Sequence, residues 1–329
     1  NSYKGVFGST RGRTATSSLF HSQLTATSGI SRLMWGLGAY NDRTLGTVSL
    51  ALAEQYGFPK LIQDIAVDAP DELWNRERHA PPSTGVVVNK VTYRTPDYML
   101  ASAQDYHPGE PGGGEHIWQA TLGRAAIVFV NHPASASLED AQAPNFWRGN
   151  RVLPRVAQWK DVLIAVHRLP EDDWLGFTHA YFPLHAFDAW ELREGWAFAQ
   201  KGEGYLALTA SQDLALVTDG PHTRRELRAP GPYTVWLCQM GRATLDGTFA
   251  EFQEKILAVD VAFDDLSVKL TTLRDETLAF GWEDDLLRNG EPEPITGFRH
   301  YESAYGYAEL PAKELIINLA GQAMRLDLS

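Results

Sequence analysis

The chain has a single cysteine, Cys238, so it can form no disulfide within itself, and the count leaves its redox compartment open. No apolar run approaches the roughly 20 residues a helix needs to span a bilayer. Basic residues are outnumbered, with 29 Lys and Arg against 41 Asp and Glu, a formal charge of −12 and a pI near 5.3. That balance argues against nucleic acid or an anionic membrane surface as a partner. A polyanionic sugar would need a local cluster of arginines. His-x-His, His-Glu-x-x-His and cysteine pairs are all missing, so the sequence gives little support for zinc. Nucleotide binding and serine hydrolysis also have little to rest on. There is no Walker loop and no Gly-x-Ser-x-Gly elbow, and the glycines at 112–114 do not open a helix.

What is present is an ordinary globular composition, 44% hydrophobic and 21% charged, which excludes wholesale disorder. At 329 residues the chain can hold one large β domain or two smaller ones. It opens Asn1-Ser-Tyr-Lys-Gly, with neither an initiator Met nor a signal peptide. We read that as a fragment of something longer, with a trimmed secreted protein as the alternative.

Residues 1–80 read as a helical lead-in. Segments 47–55 and 61–66 carry apolar residues at helical spacing, with Gly57 and Pro59 between them, and 76–82 reads as a linker. From Gly85 the pattern changes. Short runs rich in β-branched and aromatic residues fall at 86–93, 98–104, 117–122, 125–131, 155–159, 162–167, 196–199, 205–209 and 214–218. Leu122-Gly-Arg124, Lys201-Gly-Glu-Gly204 and Thr218-Asp-Gly220 supply turn chemistry between them. Further strands are expected at 267–272, 277–282, 314–319 and 324–328, the last two joined by an Ala-Gly-Gln turn. One helix interrupts the series at 248–259, where Thr248-Phe-Ala-Glu251 has capping-box spacing. The expected fold is mainly β, a large antiparallel β-sandwich over 81–329 after a short helical segment.

Four segments could carry chemistry. In His107-Pro-Gly-Glu-Pro-Gly-Gly-Gly-Glu-His116, the glycines let a chain or ligand approach closely, and His116 enters a strand. A solvated turn is the alternative. Asn131 and His132 sit at a strand end in Phe129-Val-Asn-His-Pro133. The run Asn145-Phe-Trp-Arg-Gly-Asn-Arg-Val-Leu-Pro-Arg155 interleaves Asn145, Trp147, Arg148 and Asn150. An indole stacks on a pyranose and a guanidinium forks a carboxylate, so the run suits sugar recognition, though a basic surface loop has the same composition. His179 and Tyr181 alternate on one strand face, where they project into a cleft or half-bury within the sheet. Near the start, Arg11 and Arg13 lie in a small-residue loop that could clamp an anion.

The run Tyr98-Met-Leu-Ala-Ser … Gly114-Glu-His116-Ile-Trp-Gln-Ala-Thr-Leu-Gly-Arg-Ala-Ala-Ile-Val-Phe-Val-Asn131-His-Pro resembles the β-sheet module of heparinase II/III-type proteins. In that family a glycine-rich loop leads to a histidine-bearing strand and then to a strand ending in Asp-Pro-Gly. A later basic segment and a hairpin follow, matched here by residues 145–155 and by the run from Trp196 to Thr209. The resemblance covers roughly residues 85 to 240. It departs from the pattern where His-Gly-His is replaced by Gly114-Glu-His116, and where the strand-end Asp, a metal ligand in zinc-holding members, is replaced by Asn131. We therefore expect no zinc and no other cofactor.

The resemblance implies that residues 1–80 end an (α/α) toroid, and that part of the active site, a catalytic tyrosine included, lies outside this chain. It further implies β-elimination on a uronic-acid polysaccharide. That reaction must neutralise the uronate carboxylate, abstract the C5 proton and protonate the leaving oxygen. Arg148 and Asn150 are assigned to the carboxylate, with Arg11 and Arg13 as second candidates, and Trp147, Asn145 and Asn131 line the substrate. His116 is the candidate base or acid, and Tyr106, His107, His179 and Tyr181 compete for the complementary role. A secreted or periplasmic location follows from such a substrate, without excluding the cytoplasm, and a homo-oligomer is compatible with it.

Two other classes stay open. A glycoside hydrolase on a similar scaffold would need two facing carboxylates roughly 5–10 Å apart, from among Asp105, Glu110, Glu115, Asp172, Asp173 and Asp188. A non-catalytic carbohydrate-binding module would draw on the 10 Trp and 12 Tyr, most of which a β protein of this size needs for its core.

Overall fold

The computed structural model describes residues 59–68, 70–80, 85–123, 125–136 and 143–328. Arg11 and Arg13 lie outside them. The described part is mainly β, and every strand pair is antiparallel.

Eight strands build the greater part of one sheet: β1 (Leu73–His79), β2 (Val88–Arg94), β3 (Met99–Gln104), β4 (Trp118–Thr121), β5 (Ile127–Asn131), β8 (Phe177–Tyr181), β12 (Ala215–Leu216) and β13 (Glu226–Pro230). Their spatial order is β12-β13-β8-β5-β4-β3-β2-β1, and four strands from Tyr301–Ser303 to Gln322–Asp327 extend the sheet past β1 to twelve strands. A second sheet of six strands has the order β6-β7-β14-β11-β10-β9. Its members are β6 (Arg155–Trp159), β7 (Val162–Arg168), β9 (Ala189–Arg193), β10 (Trp196–Lys201), β11 (Gly204–Ala210) and β14 (Tyr233–Arg242).

The two sheets face each other across one core. Leu100, Trp118, Val128 and Val130 of the first meet Leu163, Leu206, Trp236 and Met240 of the second. Some of the polar side chains that cross this core are paired. Trp236 Nε1 donates to Thr178 Oγ1 at 2.8 Å, and Ser102 Oγ donates to Gln158 Oε1 at 2.6 Å. Such bonds cost little when both partners are satisfied and fix how the sheets sit together.

The outer face of the six-stranded sheet carries a second core. The helix Phe249–Ala258 and a five-stranded sheet formed by residues 261–292 close over Ile164, Phe198 and Leu237 through Phe252, Ile256, Leu270 and Phe280. Thr248 and Glu251 form the expected capping box, with Thr248 N–H donating to Glu251 at 2.7 Å.

The strands Ala189–Arg193, Glu226–Pro230 and Val261–Asp264 fall where none was expected, and two further elements differ from expectation. Residues 76–82 were expected to be a linker, but β1 occupies Leu73–His79, paired with β2 on one side and with Tyr301–Ser303 on the other. Its polar sequence suits this place because its charges are matched across the strands, Glu77 to Lys90 and Arg76 to Glu302. The ten-residue β14 was not expected at all. It is central and buried on both faces, so it has no apolar–polar alternation to betray it.

Candidate functional site

The alternation of β5 sends Val128 and Val130 into the inter-sheet core, and therefore Phe129 and Asn131 onto the opposite face. Register then aligns three strands there. Asn131 lies opposite His179, which lies opposite Arg228, while Phe129 lies opposite Tyr181, which lies opposite Glu226. The segment from Asn145 to Asn150 folds over this row. Trp147 stacks on the His179 ring at 4.3 Å with the planes 2° apart, and Phe146 stacks on His222 at 3.9 Å. Tyr181 stacks on Phe129 at 5.3 Å. Asn145 shapes the turn, its Oδ1 accepting the backbone N–H of Trp147 and of Arg148.

The glycine-rich loop docks against the same segment. Gly112 N–H donates to the Arg151 carbonyl at 3.1 Å, Asn150 N–H to the Gly113 carbonyl at 3.3 Å, and Pro111 bridges Val152. The approach is so close that a Cβ on Gly112 would stand 2.3 Å from the Asn150 carbonyl oxygen. A Cβ on Gly149 would stand 1.7 Å from that of Gly113, and Gly149 also has φ +78°. Here the glycines serve packing between two chain segments, and a long hairpin loop becomes a rigid ridge.

His116 is buried at the root of that ridge. Its Nε2 accepts the Gly149 N–H at 3.3 Å, and its ring meets Phe129 edge-on at 4.7 Å. Asn150 is a fully buried clamp, with Oδ1 accepting from His132 N–H at 2.9 Å and Nδ2 donating to the Glu115 carbonyl at 3.0 Å. Asn131 donates from Nδ2 to the Phe146 carbonyl at 3.2 Å.

Two chains, each of a buried histidine, a buried carboxylate and a partly exposed arginine, flank the strand ends. In one, His179 Nδ1 meets Glu226 Oε1 at 2.9 Å, His179 Nε2 meets the Phe146 carbonyl at 2.9 Å, and Arg228 Nε donates to Glu226 Oε1 at 2.6 Å. In the other, His132 Nε2 lies 3.2 Å from Asp173 Oδ1, which accepts from Arg151 Nη1 at 2.8 Å. Burial raises the Glu226 carboxyl, but the bonds from His179 and Arg228 outweigh it and hold the group below the usual carboxylate range. Burial pulls His132 below the ordinary imidazole value against the pull of Asp173. Behind both, between the sheets, His167 is wholly enclosed, and burial pushes it down to about 3.

Of the residues singled out from sequence, Asn131, Asn145, Trp147, Asn150, His179 and Tyr181 converge on this one face together with His116. Trp147 is enclosed and offers no face to a sugar. Arg148 is exposed, its Nε 3.7 Å from where a Cβ on Gly114 would lie. Tyr106 is half-buried against the main core, and burial raises its phenol. His107 is exposed with φ +47°, 3.2 Å from Glu110 and edge-on to Tyr106 at 4.7 Å.

Glu226 and Arg228 did not stand out in sequence, Asp173 did so only as one of six candidate hydrolase carboxylates, and Arg151 only as part of the run 145–155. In sequence Glu226 lies inside the charged run Arg224-Arg-Glu-Leu-Arg228 and Asp173 ends an acidic run, and both runs look like solvated turns.

The positions aligned with a zinc-binding pattern do not fit the metal. The lone pair of His116 Nε2 faces the Gly149 N–H, and Asn131 supplies an amide where a carboxylate would be needed. Among the described residues, no group of three or more His, Cys, Asp and Glu side chains is placed to hold an ion. No family model matches the sequence, and no curated protein matches it significantly.

Proposed function

We propose that the protein acts on a uronic-acid-containing polysaccharide by β-elimination, at the ridge formed by the docked glycine loop. One observation carries the reading. Docking of residues 112–114 on 149–151 sets the His116 imidazole beside Gly149 and the exposed Arg148 guanidinium beside Gly114, so a titratable base and a cation share one ridge. The bond from the Gly149 N–H fixes the orientation of the imidazole, and His116 takes the C5 proton at Nε2 once substrate displaces that bond. Arg148 neutralises the uronate carboxylate and makes the C5 proton acidic. Tyr106 and His107 stand on the same loop for proton return to the leaving oxygen. Asn150, with its amide committed to two backbone groups, holds the ridge in shape. Such a substrate agrees with a secreted or periplasmic location.

The test is incubation with a panel of uronate polymers, followed by ultraviolet absorbance of the unsaturated uronate product. The expected result is absorbance that rises with wild type and falls on the order of a hundredfold or more in His116→Ala and Arg148→Ala. No absorbance on any polymer would sink the lyase reading, and new reducing ends without absorbance would favour a hydrolase.

A further inference from the structure

The turn before β8 holds a tryptophan in an unusual position. Trp174 is 61% exposed, yet the residues on both sides of it are fixed. Asp173 N–H donates to the Pro170 carbonyl at 3.0 Å, Gly176 N–H donates to Asp173 Oδ2 at 2.8 Å, and the Gly176 carbonyl accepts from Gly231 N–H at 2.9 Å. The Asp173 carboxylate is itself buried against His132 and Arg151. The backbone that carries the indole is fixed, so stacking a ligand on it has only the side-chain torsions to order. The turn is tied to the proposed ridge through Arg151, whose backbone N–H donates to the His132 carbonyl at 3.0 Å.

We propose that Trp174 is the stacking platform of a subsite for a neutral hexopyranose unit. This rests on the function proposed above and narrows its substrate to polymers in which uronates are joined to neutral sugars. The charges select the ligand. Arg151 is balanced by Asp173, and Glu171 and Asp172 are exposed beside the indole, so the turn is net negative and repels a second uronate. A neutral pyranose has an apolar face for the indole, and hydroxyls that donate to those carboxylates and accept from the half-exposed Arg151 guanidinium.

The experiment compares wild type, Trp174→Ala and Trp174→Phe on an alternating uronate–hexose polymer and on homopolyuronates. On the alternating polymer, Trp174→Ala is expected to raise KM about tenfold with kcat retained, while Trp174→Phe stays near wild type. An unchanged KM in Trp174→Ala overturns the subsite and leaves the lyase reading standing. If wild type makes no unsaturated product, calorimetric titration with linear hexasaccharides of glucose, mannose and galactose decides the subsite alone. Binding that weakens about tenfold in Trp174→Ala supports it. Equal binding in the two proteins, or none in wild type, overturns it. Because the side chain is exposed, thermal melts of the three proteins should coincide.

Discussion

His179 Nδ1 lies 2.9 Å from Glu226 Oε1, and neither side chain reaches solvent. The other ring nitrogen of His179 faces the Phe146 carbonyl, so both nitrogens point at acceptors, while burial pulls the ring below the ordinary imidazole value against the pull of Glu226. Arg228, donating to both oxygens of Glu226, keeps the carboxylate ionised. Removing the carboxylate would strand a buried imidazole between an absent partner and a carbonyl. We expect Glu226→Ala to cost about 3–5 kcal/mol in urea unfolding, and Arg228→Ala much less, because that guanidinium is partly solvated. Equal losses in the two variants would show that the buried pair is not the anchor of this face.

Acid stability should depend on two buried groups of opposite sign. His167 has its folded-state value pushed down to about 3 by burial, against an ordinary 6.5. Its contribution is full above pH 6.5 and is lost as pH falls toward 3, by on the order of 1 kcal/mol per pH unit. Asp161 is raised to about 6 from 3.8 by burial, against the pull of Arg274. The folded state therefore binds the extra proton between those values, and stability rises as pH falls from 6 to 3.8. The two slopes largely cancel in that window. Urea midpoints measured across pH 4 to 6 should fall more steeply on acidification in Asp161→Asn than in wild type, and less steeply in His167→Phe.

Sequence pattern reached the architecture further than it reached the site. Strands with alternating or β-branched composition fall where expected, Arg155–Trp159 and Glu314–Leu319 to the residue, because their periodicity is local. The strand Tyr233–Arg242 escapes, since burial on both faces erases the alternation. At the site, the convergence of Asn131, His179 and Tyr181 was partly legible from alternation on two strands. Their partners Glu226 and Arg228 were not, because the order β13-β8-β5 joins segments about 50 residues apart, and nothing local marks which strands will be neighbours. The glycine cluster was legible as a place of close approach. What approaches it, the backbone of residues 149–151, is a tertiary fact.

Gly149→Ala tests that docking. The new Cβ would meet the Gly113 carbonyl oxygen at 1.7 Å, and alanine at φ +78° adds roughly 1–2 kcal/mol of backbone strain. Gly290→Ala is the control, since it has φ +85° but nothing within 4 Å. We expect Gly290→Ala to lose only the strain cost in urea unfolding. Gly149→Ala should lose several kcal/mol and any lyase activity as well, because His116 bonds to the N–H of the displaced residue. Indistinguishable variants would mean that the ridge yields without cost.

Arg155 joins the third layer to the sandwich. Its Nε donates to Asp105 at 2.8 Å, and Nη1 lies 2.8 Å from each of the carbonyls of Gly281, Trp282 and Asp284, with the guanidinium 4.8 Å from the centre of the Phe280 ring. A lysine keeps the charge but has no planar fork to reach a carboxylate on one edge and a nest of carbonyls on the other. Those carbonyls follow the strand Thr277–Gly281, so their loss should loosen one rim of the five-stranded sheet and leave the inter-sheet core intact. Arg155→Lys is therefore expected to lose about 1–3 kcal/mol in urea unfolding. In the native state, faster amide exchange should be confined to residues 281–286. Exchange that rises equally in β3, β4 and β5 would mean that Arg155 supports the sandwich as a whole.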